Sequence, residues 1–460
     1  MNRSVHWRTR TAAAAVAALS LGVLAACSSS SSSTTAPAST SSSPASSASS
    51  PSSTSSASTT STTACGTKPG VAATGTPINI GAIDTKQPGT DFSDIENMAA
   101  AYFACVNANG GINGHPIKYF PLTEQTSPSQ IASLAKQLVT SDHVVGIAGN
   151  SSIIECSVDS AYWKSVGIDV LGAGIDPECW STPNTASVNM GPRYSSDGAV
   201  QYVMANGATK IAFDQSNVPG TAYIADGPNA LAKAKGVSIQ DFTENVPITS
   251  ANAIATKLVT AAGPSGAVVL NFTPPEALLI LQAAQKLNLE DRVKYWACST
   301  PCNTDFLATS LGPKWNGKLF VNSELTPLDG NTSQTAQLFD AILKQYGSAV
   351  SGGVGSFSEM GFVIGEIETH ALESITGPYT IASVSAAIKA LSNYNTGLLC
   401  QGFTYGNYSE HIPNNMDYTV TPSSGKFVQA SNGGGCTLIS ANDPQIAAYR
   451  AIAGTAPAVG

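Results

Sequence analysis

The sequence predicts an α/β protein of two lobes, each built on a doubly wound parallel sheet. Three observations predict it. Its 460 residues exceed the roughly 250–300 that a single hydrophobic core supports. From residue 76 onward, short β-rich runs alternate with helical segments, the pattern of βαβ units. The same rhythm restarts after residue 206.

In the first run, Ile78 to Ile83 reads as a buried strand. Ser93-Asp94-Ile95-Glu96 has the spacing of a capping box, which predicts that Ser93 and Glu96 satisfy free amides at a helix start. Ile95, Met98, Tyr102 and Val106 continue at helical spacing, and Gly110-Gly111 ends the helix. Ile117 to Pro121 is the next strand. Ser127-Pro128-Ser129-Gln130 is a second predicted capping box, with proline at the first helical position and Ile131, Leu134 and Leu138 on the apolar face. Val144 to Ala148 follows as a strand. In the second run, Lys210–Asp214, Ser238–Thr243 and Ala267–Phe272 read as strands, with helices over Ala222–Gly236 and Ala251–Ala262. Open parallel sheets bind ligands beyond the carboxyl ends of their strands, so two facing lobes place the site in the cleft between them.

The formal charge of −8 excludes nucleic-acid binding through a clustered basic surface. Past the first residues no apolar run approaches the roughly 20 residues of a membrane span, which excludes a multi-spanning protein. Residues 1–26 read as a secretory signal: Arg3, Arg8 and Arg10 precede an apolar, alanine-rich stretch from Thr11 to Ala26. Leu24-Ala25-Ala26-Cys27 resembles a bacterial lipobox, which implies that Cys27 is lipidated and that the protein is held on the outer face of the cell membrane. Residues 28–64 contain only Ser, Thr, Ala and Pro, too little apolar surface to offset the entropy of ordering. They are expected to form a disordered tether reaching roughly 30–37 Å.

Eight cysteines remain after Cys27, an even number that in an exported chain predicts disulfides. The sequence does not fix their connectivity. Spacing favours Cys298–Cys302 and Cys156–Cys179, and Cys400–Cys436 with Cys65–Cys105 would complete four bridges. No paired C-x-x-C occurs and the five histidines are scattered, so no metal site is expected.

Val106-Asn107-Ala108-Asn109-Gly110-Gly111-Ile112-Asn113-Gly114 resembles the N-x-x-G-G-I-N-G segment of the branched-chain amino-acid-binding protein family. These are type I periplasmic binding proteins that feed ABC importers. Looser similarity in the same order extends from about residue 76 to 430, through Phe357–Leu372 as a long helix to Gly425-Lys426. The resemblance implies two lobes joined by a hinge that close on a small molecule, and docking on a permease driven by a separate ATPase. It divides the chain into a first lobe of 65–193 and 324–395, a second of 194–323 and 396–450, and a tail of 451–460. One tethered copy suffices for delivery, so a monomer is expected, with no cofactor and no enzymatic activity. A ligand-sensing lipoprotein of the same fold and an exported hydrolase are the alternatives.

By the same resemblance, Asn150, Ser151 and Ser152 form the first ligand loop, and Ala173 and Gly174 belong to the second. Small residues there let backbone amides approach a ligand while the hydroxyls donate. In the second lobe Gln215, Tyr223, Phe272 and Ser299 stand at strand carboxyl ends, and the Thr85–Phe92 loop is expected to edge the cleft. Two departures point away from a simple branched-chain amino acid. Ile175 stands where the family has a ligand-binding Thr, and Trp296-Ala297-Cys298-Ser299-Thr300 lacks the acid that pairs with the α-ammonium. Glu324 or Glu276 could replace that acid, although as isolated acids both read as solvated. No hydrolase constellation accompanies Ser133-Leu134-Ala135-Lys136 or Gly263-Pro264-Ser265-Gly266.

Overall fold

The computed structural model describes residues 65–411, 413–433 and 435–453. The signal segment, Cys27, the 28–64 tether and residues 454–460 lie outside the described residues. No helix of the described residues is long and apolar enough to cross a membrane.

The chain opens with β1 (Ile78–Gln87), β2 (Thr90–Asp91), α1 (Asp94–Ala108), β3 (Ile117–Glu124), α2 (Pro128–Thr140), β4 (Gly146–Asn150), α3 (Glu155–Val166), β5 (Val170–Gly172) and β6 (Thr185–Ser187). It crosses into a second lobe with α4 (Gly191–Ala205), β7 (Lys210–Ser216), α5 (Asp226–Lys235), β8 (Ser238–Glu244), α6 (Ala251–Ala262) and β9 (Ala267–Asn271). That lobe continues through α7 (Pro274–Lys286), β10 (Tyr295–Cys298), α8 (Asp305–Leu311) and β11 (Leu319–Ser323). The chain returns for α9 (Gln334–Tyr346), α10 (Ser356–Glu373) and α11 (Ile381–Lys389). It ends on β12 (Met416–Ser423), β13 (Lys426–Gln429), β14 (Thr437–Leu438) and α12 (Pro444–Ala453).

The parallel part of the first sheet runs β3-β1-β4-β5-β6, with β2 antiparallel at the end of β1. The second runs β8-β7-β9-β10-β11 in parallel and then adds β12, β13 and β14 antiparallel. The sheets are therefore mixed, where the sequence suggested parallel ones throughout. Strand order reverses at β1/β4 in one sheet and at β7/β9 in the other, and those switch points are where a doubly wound sheet leaves a crevice.

Each sheet is covered on both faces, which explains its continuous apolar strands. In β9, Val268 and Leu270 enter one core while Ala267 and Val269 enter the other. In the first sheet Ile147 and Val170 face the α2–α3 side, and Ala148 and Leu171 face α1 and α10. Helices α1 and α10 approach closely because Gly361 and Gly365 lie where a Cβ would strike the Ile95 carbonyl and the Tyr102 ring. Leu398, Leu399, Phe403 and Tyr405 pack in the same core as α10.

The glycine-rich segment after α1 is a side-chain-locked turn. The Asn107 side chain donates to the Ile117 carbonyl (2.8 Å) and accepts the Ile117 amide (2.7 Å), fixing the start of β3. Gly111 has φ +62°, and a Cβ there would lie 2.4 Å from the His115 carbonyl oxygen, so only glycine fits. Asn107→Ala should cost about 1–2 kcal/mol by leaving both Ile117 groups without their partner. Urea denaturation would measure this, and a change under about 0.3 kcal/mol would show that the lock is idle.

Neither predicted capping box forms. Ser93 Oγ donates to Asp91 (2.6 Å) and accepts from Lys86, and Glu96 turns inward to a partner far along the chain. Ser127 makes no side-chain cap, and Gln130 accepts from the Gln125 amide instead. The helix starts are where the spacing predicted, but the side chains have other partners.

All eight cysteines of the described residues are bonded, as Cys65–Cys105, Cys156–Cys179, Cys298–Cys302 and Cys400–Cys436. Cys156–Cys179 joins the start of α3 to the loop after β5, and Cys298–Cys302 closes the loop after β10.

Candidate functional site

The carboxyl ends of both sheets open onto one interlobe cleft with two connected chambers. The outer chamber, about 390 Å³, lies between Gln87–Asp94 of the first lobe, the start of α7, and the 351–358 loop. The inner chamber is smaller, about 70 Å³, and shares Thr90, Thr273 and Phe357 with the outer one. Its first-lobe wall is Phe92, Ile95, Ile153, Ala173, Ile175 and Met360, and its second-lobe wall includes Val218, Ile224 and Phe272. Phe92 and Phe357 meet edge to face at 5.4 Å. Thr273 donates to the Gly89 carbonyl (3.0 Å) and the Tyr223 hydroxyl donates to the Ile175 carbonyl, so the lobes touch across the cleft on both sides.

The first ligand loop is built differently from its expected role as a donor cradle. Asn150 accepts the Ile83 amide through Oδ1 (2.9 Å). Ser151 donates to Glu96 (2.6 Å) and Ser152 to Glu124 (2.8 Å), both carboxylates being buried. The loop amides are equally occupied: Ser151 N–H donates to Ile83 and Ile153 N–H to Thr85 Oγ1. Burial raises the Glu96 carboxyl well above its usual range and nearby Asp84 adds to this, while burial raises Asp84 to about 6. The hydroxyls thus serve buried acids rather than facing the chambers, and Ile153, just after them, reaches the inner wall.

In the second loop Ala173 lines the inner chamber. Gly174 is locked behind it, donating to Ser187 (3.1 Å) and accepting from Asn189 (2.8 Å). A Cβ at Gly174 would lie 2.5 Å from Ser187 Oγ. Across the cleft Phe272 stands on the wall, whereas Gln215 donates to Thr221 (3.3 Å) and Ser299 is wholly buried away from the chambers. Of the nine ligand-site residues read from the sequence, Ala173 and Phe272 line a chamber directly. The other seven shape the loops behind the walls or, as with Tyr223, bridge the lobes.

Glu324 and Glu276 are not solvated surface acids. Glu324 is 2% exposed, lines the inner chamber, and accepts the Met190 amide at 2.5 Å. Burial pushes its carboxyl up to about 8. Glu276, 5% exposed, lines the outer chamber and accepts the Ile248 amide at 2.7 Å.

Sequence reasoning missed Asn189, Phe357 and Met360 as wall residues. Asn189 precedes the start of α4, where Pro192 occupies the first turn and Asn271 donates to the Pro192 carbonyl (3.2 Å) and to Ser196 (2.8 Å). The Gly-Pro pair was a helix-start signal in the sequence. Phe357 and Met360 come from the first turns of α10, which was read from the sequence only as a long helix over Phe357–Leu372.

The model of the family described as "Periplasmic binding protein" matches residues 77–425. No curated protein matches the chain in sequence. Among solved structures, it is similar to a branched-chain amino acid ABC transporter protein from Thermus thermophilus with bound valine (TM-score 0.70, 14% identity, 80% of this chain and 98% of that one). It is also similar to a fatty acid ABC transporter substrate-binding protein from Thermomonospora curvata (TM-score 0.66, 15% identity, 82% and 95%). A third is a solute-binding protein from R. palustris in complex with 4-hydroxybenzoate (TM-score 0.62, 16% identity, 78% and 98%). The switch-point cleft between two mixed α/β lobes and the match over most of the length carry one conclusion: this chain belongs to the type I periplasmic binding protein family.

Proposed function

We propose that the protein is an extracytoplasmic solute-binding protein that encloses a small molecule in the interlobe cleft and hands it to an ABC importer. The carrying observation is the inner chamber, where apolar side chains from both lobes meet at the two switch points. Lipidated Cys27 and the 28–64 tether would hold the body at the membrane, within reach of the permease and ATPase subunits. The chain then needs no catalytic group, because the energy for transport comes from the ATPase. The walls suit a guest with an apolar body, and the similar structures hold or are named for valine, a fatty acid and 4-hydroxybenzoate.

Mass spectrometry of purified protein incubated with an extract of its host tests this reading. We expect one low-mass compound per chain. Ser216→Trp, a substitution at a half-buried wall position, should weaken its capture about tenfold or more. A protein that captures nothing, or a Ser216→Trp variant that holds the compound unchanged, would overturn the assignment of this cleft.

A further inference from the structure

We propose that the inner chamber selects a guest with an apolar body and a cationic, hydrogen-bond-donating head (an amine), received by Glu324 and Asn189. The inference rests on the cleft being the binding site and goes beyond it by naming the chemistry of the guest.

Three sets of observations carry it. Among the described residues no Lys, Arg or His lines either chamber, whereas Asp91, Asp94 and Glu276 line the outer one and Glu324 the inner. A cation moving inward therefore meets carboxylates along its path and no like charge on the walls. Next, the places where a guest anion would sit are filled by the protein's own carboxylates. Glu324 takes the Met190 amide before the start of α4, and Glu96 and Glu124 take the Ser151 and Ser152 hydroxyls. The amides of Ala173 and Gly174 are bonded to Asn150 and Ser187. Finally, an acceptor is left over. Asn189, 5% exposed and on the inner wall, donates to Gly174, but its Oδ1 has no partner among the described residues. Asn189 directly precedes Met190, whose amide Glu324 accepts, and Asn189 and Glu324 line the same chamber. A buried acceptor in a chamber that also holds a buried carboxylate is completed by a charged donor, and Phe92 and Phe357 line the same chamber for the apolar body.

The titration of Glu324 gives the reading a signature. The titratable group coupled to it from α10 is Glu359, itself buried and raised to about 8 by burial and then by the charges of Asp329, Glu324 and Asp305. On α4, Arg193 is engaged by Asp443, and Asp197 is buried beside that pair. On β12, Asp417 lies with Asn322 against Gly198. With Glu324 raised to about 8, an ammonium arriving at pH 6–7 displaces the carboxyl proton. Amine affinity should therefore rise between pH 6 and pH 8, with up to one proton released per guest. A carboxylate guest would show the reverse, proton uptake and weaker binding as pH rises.

Titration calorimetry with benzylamine, benzyl alcohol and benzoate, in two buffers of different ionisation enthalpy, separates these cases. We expect benzylamine to bind at least about tenfold tighter than benzoate at pH 8 and to release a proton below that pH. Glu324→Gln should abolish both the preference and the proton release, and the wild-type pH profile stands as a test should that variant not fold. Benzoate binding tighter than benzylamine, or amine binding without proton release at pH 6–7, would overturn the amine assignment while leaving the solute-binding reading in place. Failure of all three probes would overturn the amine assignment as well. If the protein also captured nothing from the extract, the solute-binding reading would fall with it.

Discussion

Arg193→Met should destabilise the protein by about 3–5 kcal/mol, because it strips a buried carboxylate of its one cation partner among the described residues. Arg193 donates to both oxygens of Asp443, from Nε at 2.7 Å and Nη2 at 2.9 Å, and its Nη1 lies 3.7 Å from Asp226. The Asp443 side chain has no exposure. Burial alone would raise its carboxyl, and the Arg193 fork reverses this and holds it below the usual range. Asp197 lies beside the pair, since a Cβ on Gly227 would meet Asp197 at 2.3 Å and Asp443 at 2.6 Å. Burial, then the Asp443 charge, raises Asp197 well above its usual range, so Asp443 is the buried charge that the guanidinium offsets, with Asp226 on its exposed side.

Asp443 also caps α12, accepting the amides of Gln445 (2.7 Å) and Ile446 (3.3 Å). Ile446 and Tyr449 of that helix pack in the core that holds α1 and α10, while Arg193 sits on α4 of the second lobe. The fork thus fastens the C-terminal helix to α4. Loss of the cation should leave Asp443 buried and bare, release α12, and lower the urea midpoint sharply. Arg193→Met combined with Asp443→Asn should recover part of the loss, because the uncompensated charge is gone. A single variant that loses less than about 1 kcal/mol, or a double variant no better than the single, would show that the fork contributes little.

What the sequence made legible is what depends on near neighbours. Helix α6 has the bounds that its apolar spacing gave, Ala251–Ala262, and β9 reads as a buried strand because both its faces are covered. Proline at the head of α2 is likewise local. Partners distant in sequence were not legible. Ser93-x-x-Glu96 has the letters of a capping box, but Glu96 finds Ser151, 55 residues on, because the sheet order brings β4 beside β1. The serines of the first ligand loop looked like free donors for the same reason: nothing nearby shows that Glu96 and Glu124 reach them. Glu324 was misjudged because its burial comes from the crossing between the lobes and its partner is Met190, 134 residues earlier. Loop positions were readable, and the direction each side chain faces within them was not.

Acids raised by burial set a second large effect, a stability that falls as pH rises. Burial raises Glu155, Glu324, Glu359, Glu366 and Glu368 to about 8, Asp159 and Asp214 to about 7, and Asp84 to about 6. Each of these carboxyls keeps its proton in the folded chain at a pH where the unfolded chain has released it. The folded state then binds more protons than the unfolded one, so the slope of unfolding free energy against pH is negative from about pH 4 to about pH 8. Each such group contributes about 1.4 kcal/mol per pH unit while it differs fully between the states. Asp91 and Asp443, lowered by their hydrogen bonds, act the opposite way but below pH 4, and His411, lowered by burial, is a single group. Thermal unfolding should therefore occur at a higher temperature at pH 5.5 than at pH 8, with a free-energy difference of at least about 3 kcal/mol, the slope of two such groups over one unit. Glu368 supplies the internal control. It is fully buried on α10, neither oxygen has a partner among the described residues, and one lies 3.3 Å from where a Cβ on Gly146 of β4 would stand. Glu368→Gln should be nearly neutral at pH 5.5 and stabilising at pH 8, because the amide resembles the protonated acid and cannot ionise. A melting temperature that is flat or rises from pH 5.5 to pH 8, or a Glu368→Gln variant equally destabilised at both, would mean that these acids carry no stored protons in the folded chain.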